Sequence, residues 1–303
     1  MDRNTLTALL LITLVLIITP YYMELISPPP QNTQEYFENQ PNTKENSVIY
    51  KDYNEGGFTP PVSTTPAFSQ KEEKTIEVET DLFIARISSA YGGTIRSFKT
   101  KEHLKNDSSL VELISKENKN NLVLSYKDFN GGDVVIDDGW VLQEKEDSFF
   151  VRSVKTLTYI NEFENKKLIK TLTFYPDRFV IDIDVDITGI SNNTLADNFS
   201  IGWIGGIPPT EVDSVAEAAY FYSYLYQGGE LLSVKVSNGE TFKNDYKGAT
   251  DWIAARSKYF VVCFLDDSKE QFVGSAISAS FNDKELYNIS ANMRSSKVAN
   301  ISL

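Results

Sequence analysis

Cysteine and histidine are nearly missing from this chain of 303 residues, which holds one of each, Cys263 and His103. A lone cysteine excludes an intrachain disulfide, so any folded part must stand on its core alone. Cys263 lies in an apolar run and reads as a small buried hydrophobe. His103 falls in the polar segment Lys101-Glu-His-Leu-Lys-Asn, which reads as an exposed surface loop. Acid–base chemistry near neutral pH therefore has no convincing histidine to start from. No G-x-S-x-G elbow, H-E-x-x-H pair or phosphate-binding glycine loop occurs either. Basic residues are in deficit, 29 against 42 acids, for a net charge of −13. That balance argues against nucleic-acid binding, which needs a basic face, and against a peripheral role on anionic lipid. No catalytic, cofactor-binding or metal-binding residue is assigned. An acid pair alone could still serve a glycosidase if two carboxylates faced each other across a cleft.

Charge is also absent between Arg3 and Glu24, and here the absence is informative. About 20 uncharged residues rising about 1.5 Å each match the roughly 30 Å hydrocarbon layer of a bilayer. Tyr21 and Tyr22 stand where an aromatic belt belongs. A cleaved secretory signal is disfavoured by Asp2 beside Arg3 and by the lack of a small-x-small cleavage site. A buried core helix is disfavoured because apolar residues cover the whole circumference. The reading is a short cytoplasmic end at 1–5 and a transmembrane signal-anchor helix at 6–26, with the long end exported. From 27 to 74 the composition turns to Pro, Asn, Thr and Gln without hydrophobic periodicity, as in a flexible tether. A spacer is the simpler reading of that stretch, and a partner-docking segment the other.

From Thr75 the pattern has period two. Ile76-Glu-Val-Glu-Thr, Leu82-Phe-Ile-Ala-Arg-Ile and Leu122-Val-Leu-Ser-Tyr read as strands. So do Lys167 to Tyr175 and Phe179-Val-Ile-Asp-Ile-Asp-Val-Asp-Ile187. Tyr91-Gly92-Gly93 and Asn130-Gly131-Gly132 read as turns. Many short strands between such turns predict an all-β sandwich over 75–303. Asp182, Asp184 and Asp186 share one strand face. A calcium site needs a loop that wraps around the ion, so the row reads as a solvated face. Tyr220, Tyr222, Tyr224 and Tyr226 recur at spacing two and are predicted to line one strand face. That face is either a groove for a peptide or sugar or an aromatic strand packed on its neighbours.

Asp251-Trp252-Ile-Ala-Ala255-Arg256-Ser-Lys258-Tyr259-Phe260 resembles the W-x-A-x-x-x-K-Y-F signature of the periplasmic domain of the YidC-type (YidC/Oxa/Alb) bacterial membrane protein insertases. Met1-Asp-Arg-Asn-Thr5 before the apolar span, Thr80 to Ile87, Gly92 to Phe98 and Gly202-Trp203-Ile-Gly-Gly206-Ile-Pro resemble other parts of that family in the right order. The resemblance implies a twisted β-supersandwich, galactose-mutarotase-like, in the periplasm behind one inner-membrane helix. It implies as partners the inner-membrane bilayer, Sec translocon subunits and nascent membrane proteins, and no cofactor. The family's insertion chemistry lies in a helical core that follows this domain. The chain is therefore expected to be the anchoring and scaffolding part of such a protein, incomplete at its carboxyl end, and not an enzyme. The alternative is a membrane-anchored periplasmic carbohydrate- or peptide-binding β-sandwich protein. Trp252, Tyr259 and Phe260 are expected to be largely buried.

Overall fold

The computed structural model describes residues 72–302 apart from positions 106, 116–119, 129–131, 164–165, 187–197, 238, 267–271, 283 and 295–298. The expected cytoplasmic end, the membrane helix at 6–26 and positions 27–71 of the tether lie outside the described residues.

The strands in chain order are β1 (Thr75–Glu79), β2 (Phe83–Ser88), β3 (Thr94–Leu104), β4 (Leu110–Glu112), β5 (Asn121–Lys127), β6 (Asp133–Val135), β7 (Trp140–Leu142), β8 (Ser148–Phe150), β9 (Lys155–Phe163) and β10 (Lys166–Phe174). They continue as β11 (Ile181–Asp186), β12 (Asn198–Trp203), β13 (Tyr222–Gln227), β14 (Glu230–Val234), β15 (Thr241–Arg256), β16 (Val261–Asp266), β17 (Phe272–Asn282), β18 (Lys284–Arg294) and β19 (Ala299–Ser302). A one-turn helix, α1 (Ser214–Ala218), precedes β13. The fold is all-β.

The first sheet runs β4-β3-β2-β1-β8, antiparallel except for the parallel β1–β8 pair. The second runs β6-β5-β12-β18-β17-β15-β16-β19-β11-β10-β9-β7, with β13 joined to β15 and β14 to β13. Strand β11 shows why these segments pair. Ile181, Ile183 and Val185 are buried while Asp182, Asp184 and Asp186 alternate towards the half-buried side. Successive strand side chains point to opposite faces, so the sequence period of two becomes an inside and an outside.

Side chains from both sheets meet in one core. Ile76, Val78, Phe83 and Ile87 of the first sheet share it with Leu157, Leu172, Phe174, Phe199 and Phe264 of the second. Phe83 and Phe98 stack with ring centroids 4.5 Å apart. A polar clamp ties the sheets as well. Buried Asn121, at the start of β5, accepts at Oδ1 from the Ile95 N–H at 2.7 Å and donates from Nδ2 to the Ile95 carbonyl at 2.9 Å. The Asn121 side chain thus serves β3 as a short extra strand would, satisfying a buried N–H and C=O together.

The Tyr91-Gly92-Gly93 turn forms as expected, as a 3-10 turn at Ala90–Gly92. Its glycines are required. Gly93 has φ 102°, and a Cβ there would stand 2.8 Å from Leu172 Cδ1 and 2.9 Å from Tyr159 Cε2. The turn therefore lies flat on the core floor, which no larger residue permits.

Three expectations need correction. His103 is exposed but lies on β3, not in a loop, and meets the Phe260 ring edge-on at 5.5 Å. Its strand outruns the core, so polar residues continue the ladder. Tyr259 is 57% exposed, and Trp252 and Phe260 are only half-buried. Tyr259 and Phe260 sit at the β15–β16 turn, with Phe260 packed against the margin of the core, and Trp252 stands on the outward face of β15. Cys263 is half-buried, on β16, with its thiol pushed up to about 12 by burial.

Candidate functional site

The outward face of β14, β13, β15 and β16 carries three half-buried tyrosines of the predicted run. Register builds it row by row. Tyr226 pairs with Leu231 on one side and Trp252 on the other, and Trp252 with Leu265. Tyr224 pairs with Ser233 and Ala254, and Ala254 with Cys263. Tyr222 pairs with Arg256, and Arg256 with Val261. Directly opposed residues share a face, so these side chains form one surface. The intervening residues Ser223, Leu225, Val234, Ile253, Ala255, Val262 and Phe264 point inward and are buried.

Tyr222 and Tyr224 stack at 5.7 Å, and Tyr226 lies parallel to Trp252 at 5.9 Å and 7°. Leu231, Val261 and Leu265 are 54%, 62% and 42% exposed. Apolar side chains of this size, side by side on a sheet with aromatic neighbours, are the composition of a contact surface. Of the four predicted tyrosines, three stand on this strand face. Tyr220 does not: it follows α1 in a turn and is exposed.

Cations gather at one end. Lys235 Nζ stands 5.1 Å from the Tyr222 ring centroid and donates to the Ala219 carbonyl at 2.7 Å. Arg256 Nη1 donates to Tyr224 Oη at 3.3 Å. Lys258 Nζ lies 4.7 Å from the Tyr259 ring and 5.7 Å from that of Tyr220. Tyr259 Oη donates to Glu211 Oε1, and Lys258 is 3.5 Å from the same oxygen. The tyrosine hydroxyl and the lysine together hold the Glu211 carboxyl below its usual range.

The loop bearing Glu211 is set by a residue the sequence reading missed. Glu217 of α1 is buried, and its carboxylate accepts from the Thr210 N–H, the Glu211 N–H and Thr210 Oγ1 at 2.7, 2.7 and 3.0 Å. Asp213 caps the same turn, accepting from the Ala216 N–H at 3.0 Å. The Asp213-x-x-Ala216 cap was visible as an acid before a short apolar run; the buried role of Glu217 was not.

A second polar feature is buried. Lys170 has no exposed surface and donates to the carbonyls of Leu122 at 2.5 Å and Tyr91 at 3.2 Å. Both acceptor residues have φ 54°, a left-handed conformation costly for side chains other than glycine. Burial alone lowers the Lys170 amine to about 7. Above the turn a cleft of about 250 Å³ is lined by Glu73, Tyr91, Asp137, Asp138 and Trp140. Arg96 pairs with Glu73 at 2.9 Å across its rim. Among the described residues no three histidine, cysteine or carboxylate groups converge as metal ligands, the row of Asp182, Asp184 and Asp186 included. Chemically, the outward face can bind.

Residues 75–302 match the family model of the YidC periplasmic domain. Among curated proteins the chain is similar to the membrane protein insertase YidC of Prosthecochloris aestuarii, 26% identical over 279 residues that cover 90% of this chain and 47% of that protein. It is similar too to the membrane protein insertase YidC of Chloroherpeton thalassium, 28% identical over 296 residues that cover 94% of this chain and 50% of that one. The chain spans about half the length of the curated relatives it matches. Among solved structures, a galactose mutarotase related enzyme from Lactobacillus acidophilus aligns over 75% of this chain and 96% of its own, at 12% identity and a TM-score of 0.44.

Proposed function

The chain belongs to the YidC periplasmic domain family, and from that premise we propose that it supplies the anchor and scaffold of a bacterial inner-membrane insertase. In this reading the apolar run at 6–26 fixes the chain in the inner membrane, and 27–74 tethers the β-domain on the periplasmic side. The domain brings Sec translocon subunits and nascent membrane proteins to the insertion apparatus. Insertion itself falls to the remainder of such a protein. The observation that carries the reading is the family match across 75–302, downstream of a membrane-length apolar run in the same chain. The outward aromatic face supports a binding role for the domain.

A second reading, a membrane-anchored carbohydrate- or peptide-binding protein, is favoured by one feature, the parallel Tyr226–Trp252 pair, since aromatic faces stack on sugar rings and peptide planes alike.

Fractionation and crosslinking separate the two. Alkaline extraction should leave the chain in the inner-membrane pellet, open to protease added from the periplasmic side. A photo-crosslinker placed in the domain should capture translocon subunits. Recovery of the chain as a soluble species shorter by its first two dozen residues would end the anchored reading. Crosslinks to outer-membrane proteins alone would end the insertase reading.

A further inference from the structure

Strand β14 pairs with β13 and, among the described residues, with nothing on its other side. Such an edge presents a row of backbone N–H and C=O groups to any extended chain that approaches. Natural edges are commonly blunted by proline or by inward-pointing charge; Glu230-Leu-Leu-Ser-Val234 has no proline, and its one charge, Glu230, is exposed at the end next to the turn. It follows a tight Gly228-Gly229 turn and stands beside the aromatic face, so edge and face form one continuous surface.

We propose that this edge takes an extended segment of a partner protein as an added strand, with an acidic side chain beside Lys235 and an apolar one beside Leu231. The proposal rests on the scaffold reading and names where and what the scaffold binds.

Register defines the requirement. Leu231, Ser233 and Lys235 alternate on the outward side, over Tyr226, Tyr224 and Tyr222. A strand added about 4.8 Å away lays its own alternate residues against that row. Leu231 and Lys235 are four positions apart, so the partner's apolar and acidic residues must be four apart as well. The residue between them meets Ser233 and must be small or polar.

Charge points the same way. The chain carries −13 and repels an acidic partner over most of its surface, yet this face gathers Lys235, Arg256 and Lys258. Lys258 is engaged by Glu211. Among the described residues neither Lys235 nor Arg256 has a carboxylate within the 4.0 Å of an ion pair. An acidic side chain is thus drawn to this end of the edge, while Leu231 offers apolar area at the other. A sugar would stack on Tyr226 and Trp252 but leave the backbone row of β14 unpaired.

The test uses the full chain in detergent micelles and two labelled ten-residue peptides of alternating Thr and Val. One carries Asp four positions from Ile, the other Lys in place of that Asp. Fluorescence anisotropy should show the Asp peptide binding at least tenfold more tightly. Amide hydrogen exchange should slow at Leu231–Val234 on binding. Lys235→Glu should reverse the preference, so that the Lys peptide binds the variant better, at an unchanged melting temperature. That reversal separates a binding role from a folding defect. Equal binding of the two peptides, no binding up to millimolar peptide, or binding without slowed exchange at β14 would each overturn the proposal. So would a maltooligosaccharide that quenches tryptophan fluorescence while neither peptide binds. Translocon crosslinks that persist undiminished in Lys235→Glu would overturn this placement and leave the scaffold reading standing.

Discussion

Lys170 is the residue whose chemistry is furthest from its appearance in the sequence. A neutral amine has two N–H groups, and the core offers it two carbonyls, those of Leu122 and Tyr91. An ammonium has three, and the third would be left without a partner in an apolar surround. The lowering from 10.5 to about 7 follows, and at about 1.4 kcal/mol per unit it corresponds to a penalty on the order of 5 kcal/mol for the charged form. Between these two values the unfolded chain holds the proton and the folded chain does not, so stability rises with pH across that window. Below about 7 both states are protonated and the whole penalty applies. Lys170→Met should flatten this dependence. Urea denaturation between pH 6.5 and 9.5 should show the midpoint climbing for the parent chain and nearly level for the variant; parallel slopes would show that the amine is not the cause. The inward parity was legible. Leu168, Lys170, Leu172 and Phe174 share one face of β10, and the other three are obvious core residues. What no pattern reveals is that two left-handed carbonyls wait there, because one arises from a turn at Tyr91 and the other from a register irregularity in β5, both remote in sequence.

At the level of elements, the clamp at Asn121 and the turn at Gly93 decide how the sheets meet. Asn121→Ala should cost about 1–3 kcal/mol, because the Ile95 N–H and C=O lose their partners inside the core. Gly93→Ala should cost about 2–4 kcal/mol, combining a left-handed backbone with overlap against Leu172 and Tyr159. Chemical denaturation checks both, and a near-neutral result for Asn121→Ala would mean that water replaces the amide. Strand existence was readable wherever alternation was clean, as in β1, β11 and β13. Boundaries were less so: the predicted strand from Phe179 begins at Ile181, since Phe179 is drawn sideways to within 6.1 Å of Phe83 and stays exposed. Tyr220 shows the limit of spacing. It keeps the period of the tyrosine run but belongs to the turn after α1, a helix too short to leave any periodic trace. Tyr259 misled for the opposite reason. The Ser257–Phe260 turn closes on its own hydrogen bonds, the Phe260 N–H to Ser257 Oγ and the Ser257 N–H to the Phe260 carbonyl, and turns the ring outward to Glu211.

For the whole molecule, core and surface follow from composition in a simple way. With a single cysteine, stability rests on one apolar core shared by two sheets. Its strands begin at Thr75, and Glu73 and Lys74 already bond to the domain, so a chain lacking 27–71 should keep its melting temperature within a degree or two; a large fall would mean that the proline-rich stretch packs on the domain. The all-β class was legible because alternation survives wherever one face is buried. The pairing order was not, because partners as far apart as Asp182 and Ser302 leave no local mark. Strand β19 shows what that order entails. It lies between β11 and β16, and among the described residues the path from β7 to β11 joins the rest of the large sheet through it alone. Removing Ala299–Ser302 should therefore expose apolar surface to a dye and lower the melting temperature sharply. On a ribosome making about 5–20 residues per second, the chain from Asp186 to Ala299 takes roughly 6–23 s to appear. For that interval the half already made waits with its margin open to the nearest passing strand, so a holdase at the exit from the membrane would meet its client at this moment.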